Sequence, residues 1–95
     1  MERKIQDENL DFLFKAILAL ENTDECYDFF EDLCTVTELE TFAQRLKVAK
    51  LLMSKTVYGE IVRETGASTA TISRVNRSLQ YGCKGYQKIL GKYEK

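Results

Sequence analysis

In the N-terminal part of the chain the apolar positions Leu10, Leu13, Phe14, Ile17 and Leu18 recur at i, i+3, i+4, i+7 and i+8. That is the spacing of one face of an α-helix, and it predicts a helix over about Asp7 to Glu21. Phe12, Ala16, Ala19 and Leu20 cover much of the opposite side. A helix apolar nearly all round has to be enclosed, and a chain this short has little material to enclose its own first helix. An intertwined homodimer, helices of one chain wrapping the other, is the expected solution.

Asn22 or Thr23 can cap a second helix, Asp24 to Cys34, with Glu25 in the first turn where the macrodipole favours it. Its expected buried stripe is Cys26, Phe29, Phe30 and Leu33. Two overlapping capping boxes, Thr35 to Glu38 and Thr37 to Glu40, place the start of a third helix near Glu38. It runs through Leu39, Phe42, Ala43, Leu46, Ala49 and Met53 to about Ser54, with Arg45, Lys47 and Lys50 on its C-terminal half. Two short helices follow, and then a last one from about Lys84 to Tyr93. Tyr86, Ile89, Leu90 and Tyr93 form its expected buried face, and Gly82 and Gly85 bracket its start as turn residues.

With 95 residues, no proline and no Asn-Gly or Asp-Gly turn, the chain reads as one all-α domain, 1–95, of about six helices. Hydrophobic residues make up 44% and charged residues 31%, an ordinary globular balance that argues against disorder. There is no histidine, which removes Ser-His-Asp and Cys-His nucleophilic sites and most zinc sites. Cys26, Cys34 and Cys83 are odd in number and lack C-x-x-C spacing. They read as reduced, mostly buried thiols of an intracellular protein. No cofactor, metal or catalytic constellation is expected. The pair Glu60 and Glu64 reads as a solvated helix face, so the chain is not expected to be an enzyme. Its longest apolar run, Leu10 to Leu20, contains Asp11 and Lys15 and is too short to span a bilayer, and the acidic residues before it do not suit a signal peptide. The sequence predicts a cytoplasmic protein that does not enter the membrane.

The net charge of −1 conceals a split. Residues 1–40 hold twelve acidic and three basic residues, whereas residues 41–95 hold eleven basic and three acidic ones. One half therefore attracts polyanions and the other repels them, so any nucleic-acid contact is one-sided. The basic half contains Thr56 to Leu79, which reads as a helix-turn-helix, the motif spanning about 56–80. Ile61 and Val62 point inward from a first helix, Tyr58 to Glu64. Gly66 supplies the positive φ of a tight turn, and Ala67 is small where two helices approach. Ser68 caps a second helix, about Ser68 to Gln80, which Ile72, Val75 and Leu79 anchor. Thr69, Ala70, Thr71, Ser73, Arg74 and Arg77 are left facing outward. Short polar side chains at a helix start, flanked by arginines, suit entry into the major groove of double-stranded DNA. The DNA-facing candidates are thus Ser68, Thr69, Ala70, Thr71, Ser73, Arg74 and Arg77, together with Tyr58 and Lys55 at the entry to the first helix.

From about Phe14 to Gly91 the sequence resembles the Trp repressor superfamily, and within it the YerC/YecD type of Trp-repressor-like proteins. The resemblance rests on Thr37 to Leu52, on Gly66-Ala67, and most specifically on Ala70-Thr-Ile-Ser-Arg74. It implies a six-helix chain, an intertwined dimer, and regulation of transcription, as a repressor, through a two-fold operator. By position it also implies that Arg45 and Arg74 are the arginine pair that sandwiches the corepressor's indole in Trp repressor. Arg45, Arg74 and Ser78 are therefore the effector-binding candidates, for a small molecule the sequence does not identify. Two positions depart from the pattern. The glycine that follows the second arginine there, making room for the ring, is Val75 here. A basic residue that reads a base from the first helix of the motif is Gly59 here. DNA binding without a response to tryptophan is the expectation. The competing readings are a helical protein-interaction module, whose acidic half binds a basic partner, and a nucleoid- or replication-linked DNA-binding protein.

Overall fold

The computed structural model describes residues 7–93. Among them are six α-helices and no strand: α1 (Glu8–Leu18), α2 (Thr23–Leu33), α3 (Val36–Met53), α4 (Tyr58–Thr65), α5 (Thr69–Tyr81) and α6 (Gly85–Tyr93). Their contacts divide the chain into two compact units, with the boundary in sequence between Val36 and Thr37.

In the first unit, the Asp7 carboxylate accepts from the Leu10 N–H at 2.8 Å and caps α1, with Glu8 and Asp11 at the positive end of the helix dipole. The helix ends at Leu18 rather than near Glu21, because Ala19 and Leu20 donate to Ala16 and Ile17 in a tightened last turn. Asn22 then adopts the extended backbone of a cap, its side chain accepting from the Glu25 N–H at 2.8 Å, while Glu25 accepts from the Glu21 N–H at 2.9 Å. Phe29 and Phe30 meet edge-to-face, ring centroids 5.4 Å apart. Neither helix has a buried residue within the chain. Phe12 is 77% exposed and Leu18 83%, and the stripe expected to be buried on α2 is only half-buried at Cys26, Phe29 and Phe30, with Leu33 exposed. A single chain leaves both apolar faces of this unit uncovered.

The second unit holds the core. α3 begins at Val36, one residue after Thr35, so its start follows the first of the two capping boxes and precedes the expected start by two residues. Val48 and Ala49 of α3, Ile61 of α4, Ala67, Ile72 and Val75 of α5, and Leu90 of α6 are buried together, with Leu51, Leu52, Leu79 and Tyr86 packed around them. The α3 terminus is a Schellman motif. The Thr56 N–H donates to the Leu51 carbonyl and the Lys55 N–H to the Leu52 carbonyl, which puts Lys55 at φ +64°, in the left-handed region. On α6 only Leu90 is buried; Tyr86 is half-buried, and Ile89 and Tyr93 are exposed rather than packed. One short helix turns one narrow stripe to the core, and Leu90 and Tyr86, four residues apart, fill it.

Candidate nucleic-acid interface

α4, a three-residue turn and α5 are each set by local chemistry. Gly66 ends α4 at φ +71°, its N–H donating to the Val62 carbonyl at 2.8 Å, and a conformation costly for other residues reverses the chain. Ala67, 2% exposed, fits beneath the turn. Ser68 caps α5, its Oγ accepting from the Thr71 N–H at 3.1 Å. Ile61 is the core contact of α4, whereas Val62, 37% exposed, lies off the buried stripe rather than inward as expected.

Two cross-links found only in three dimensions hold the turn. The Gln44 side chain of α3 donates from Nε2 to the Thr65 carbonyl at 3.1 Å, and Thr65 Oγ1 donates to the Ile61 carbonyl and accepts from the Ala67 N–H. Asn76 Nδ2 donates to the Tyr58 hydroxyl at 3.4 Å, linking α5 to the first residue of α4. Sequence reasoning missed Gln44, Thr65 and Asn76. An ordinary polar residue on a helix carries no local sign that its partner lies 18 or 21 residues away.

Ser68, Thr69, Ala70, Ser73, Arg74 and Arg77 are exposed, as expected for an outward face. Thr71 is half-buried instead: its hydroxyl accepts from Ser68 Oγ at 3.1 Å, and it lines a cavity together with residues of α3. Lys55 and Tyr58 are exposed at the entry to α4. α5 bears no acidic residue; on α4, Glu60 is engaged by an ion pair with Arg63. This face of the unit therefore presents short polar groups, an uncompensated pair of guanidiniums and a capped helix start. The three cysteines are free thiols, but Cys26 and Cys34 are half-buried and Cys83 is exposed, so the expectation of mostly buried thiols fails. Cys83 lies in the α5–α6 connection, where no core packs against it.

Behind this face lies a cavity of ≈ 200 Å³, lined from α3 by Thr41, Gln44 and Arg45, from α5 by Thr71, Arg74, Val75 and Ser78, and from α6 by Tyr86. It brings Arg45, Arg74 and Ser78 together. Val75, 2% exposed, forms part of the wall where a glycine would leave space. The C-terminal end of α5 is fixed by Gly82, at which a Cβ would lie 2.5 Å from the Ser78 carbonyl oxygen. Among the described residues no group of side chains is arranged to hold a metal ion, and no helix is long and apolar enough to cross a membrane.

Residues 8–94 match the family model described as Trp repressor protein. The chain is 52% identical over 87 residues to YerC of Bacillus subtilis, an uncharacterized protein, covering 92% of this chain and 84% of that one. Two solved structures share its architecture. The crystal structure of a protein from Staphylococcus aureus, assigned there as a candidate Trp repressor, superposes with a TM-score of 0.91 at 54% identity, over 94% of this chain and 89% of that one. A TrpR-like protein from Eubacterium eligens superposes with a TM-score of 0.93 at 49% identity, over 96% and 94% of the two chains.

Proposed function

The chain belongs to the Trp repressor family, and from that premise we propose that it is a homodimeric, sequence-specific DNA-binding regulator of transcription, acting as a repressor in the cytoplasm. The observation that carries this reading is the outward start of α5: the short side chains of Ser68, Thr69, Ala70 and Ser73, arginines at 74 and 77, and no carboxylate. α4 and α5 act as a helix-turn-helix. Short residues approach base edges in the major groove, Arg74 and Arg77 reach guanine or phosphate, and Lys55 and Tyr58 meet the flanking backbone. The family model spans both units, so we read residues 1–95 as one domain, with no catalytic role.

The dimer is supported by the uncovered apolar faces of α1 and α2, which a second copy would bury. Sedimentation at micromolar concentration should give about twice 11.0 kDa; a well-folded monomer there refutes the intertwined arrangement. Tryptophan is not the effector in this reading, because Val75 fills space that its ring needs. Selection of bound sequences from random double-stranded DNA tests the function itself. A two-fold-symmetric enriched site is expected, and no enrichment overturns the reading. A second reading, a module for a basic protein partner, has one observation behind it: α2 carries Asp24, Glu25, Asp28, Glu31 and Asp32 and no basic residue. Capture of a protein that survives nuclease treatment would favour it.

A further inference from the structure

We infer that Asn76 of α5 is a positioning residue for DNA contact: it holds the Tyr58 hydroxyl as a neutral, outward-aimed donor to one phosphate oxygen of the DNA backbone. This role deepens the DNA-binding reading above and rests on it, since that reading brings Tyr58 to the backbone without saying which atom acts or what aims it.

Two features place the phenol. Asn76 Nδ2 donates to the Tyr58 hydroxyl at 3.4 Å, tying α5 to the first residue of α4. Asn76 also follows Thr69 and Ser73 at i+7 and i+3, so the three share one stripe of α5. Thr69 and Ser73 are exposed on that stripe, whereas Ile72, Val75 and Leu79 pack into the core on the other side. The Tyr58 hydroxyl is therefore held beside the stripe that is proposed to meet DNA. Asn76 is half-buried, while Tyr58 keeps 38% of its surface in solvent, where a ligand can reach it.

The direction of that bond decides what the phenol offers. A hydroxyl has one proton and two acceptor lone pairs. With a lone pair taken by the Asn76 N–H, the proton is the group left to place, and among the described residues it has no acceptor. Glu60, two residues on, is engaged by Arg63 instead. A phosphate oxygen is the charged acceptor of the DNA backbone, and a hydrogen bond to an ion is roughly twice as strong as one between neutral groups. Gly59, the next residue, has no side chain to contribute, so the phenol is the polar group that this turn of α4 puts forward. Being uncharged, it adds affinity without releasing a counterion, and so without adding to the salt dependence.

The test uses the full chain and a duplex that it enriches from random DNA, with single phosphates replaced in turn by neutral methylphosphonate. For the wild type, one replaced phosphate in each half-site should weaken binding in a way that Tyr58→Phe makes disappear. Tyr58→Phe keeps the ring, and should bind the unmodified duplex about tenfold more weakly per half-site, the loss of one charge-assisted hydrogen bond, with the salt slope unchanged. Asn76→Ala should cost about fivefold per half-site in the wild-type background and nothing in the Tyr58→Phe background. A residue that only stabilised the fold would cost the same in both. Asn76→Asp, whose carboxylate takes the phenol's proton inward, should likewise lose more in the wild-type background than in the Tyr58→Phe background. The positioning role is overturned if Tyr58→Phe binds as tightly as the wild type, if Asn76→Ala costs the same in both backgrounds, or if no replaced phosphate depends on Tyr58. An enriched duplex with additive Tyr58 and Asn76 effects refutes this role alone. A wild-type chain that enriches no duplex refutes the function proposed above, and this role with it.

Discussion

Gly66 and Lys55 both have a positive φ, +71° and +64°, at the ends of neighbouring helices, one without a side chain and one with. The left-handed region costs an L-residue roughly 1–2 kcal/mol. A Cβ at Gly66 would find nothing within 4 Å, so Gly66→Ala adds no clash and isolates the backbone cost. Part of that cost is offset by about 0.4–1 kcal/mol, because alanine restricts the unfolded chain more than glycine does. A net loss of about 1 kcal/mol remains. Lys55→Gly runs the same terms in reverse and should gain about 1 kcal/mol. For a domain of this size, each should move Tm by about 4–8 °C, in opposite directions. Melts followed by circular dichroism at one fixed concentration check this, since association makes Tm concentration-dependent. The two variants should part company on DNA. Lys55→Gly removes a cation proposed to meet the phosphate backbone, so it should melt higher and bind more weakly. If Gly66→Ala melts with the wild type, or Lys55→Gly melts lower, the left-handed turns are not what sets these helix ends. If Lys55→Gly binds DNA as tightly as the wild type, the strain at Lys55 is not retained for DNA contact.

The other predictions concern α5. Ser68→Ala removes the cap of the helix and should cost about 1 kcal/mol by denaturant unfolding; no change would mean the cap is replaced by water. Val75→Gly should cost about 3 kcal/mol, from lost burial plus a helical glycine, yet gain saturable heat with tryptophan in calorimetric titrations where the wild type shows none. Sub-millimolar binding of tryptophan to the wild type would refute the role given to Val75. DNA affinity should fall with salt at a log–log slope of order −5 for several phosphate contacts per dimer. Arg77→Ala should weaken all sequences alike if it meets phosphate, whereas Thr69→Ala, on the exposed start of α5, should blunt sequence preference; a flat salt response would leave the protein-interaction reading ahead.

The features legible in the amino-acid order are those that depend on a few neighbouring residues. A cap at Asn22 or Thr23, of which the structure uses Asn22, the cap at Ser68, the left-handed turn at Gly66 and the inward positions Ile61, Ile72 and Val75 are of this kind, because capping, φ and helical periodicity are short-range physics. Periodicity says which stripe is apolar and not what covers it. Periodicity alone therefore puts Val62, Ile89 and Tyr93 inside where this chain leaves them exposed, and Phe12 and Leu18 of α1 and Leu33 of α2 are exposed as well. It takes the packed fold to make Thr71 half-buried, to bring Gln44 to the Thr65 carbonyl, and to line one cavity with both Arg45 and Arg74 and no carboxylate. These pairs lie 21 and 29 positions apart along the chain. Nothing in a local pattern records a meeting that exists only once Val48, Ile61 and Ile72 have packed and brought α3, α4 and α5 to one core.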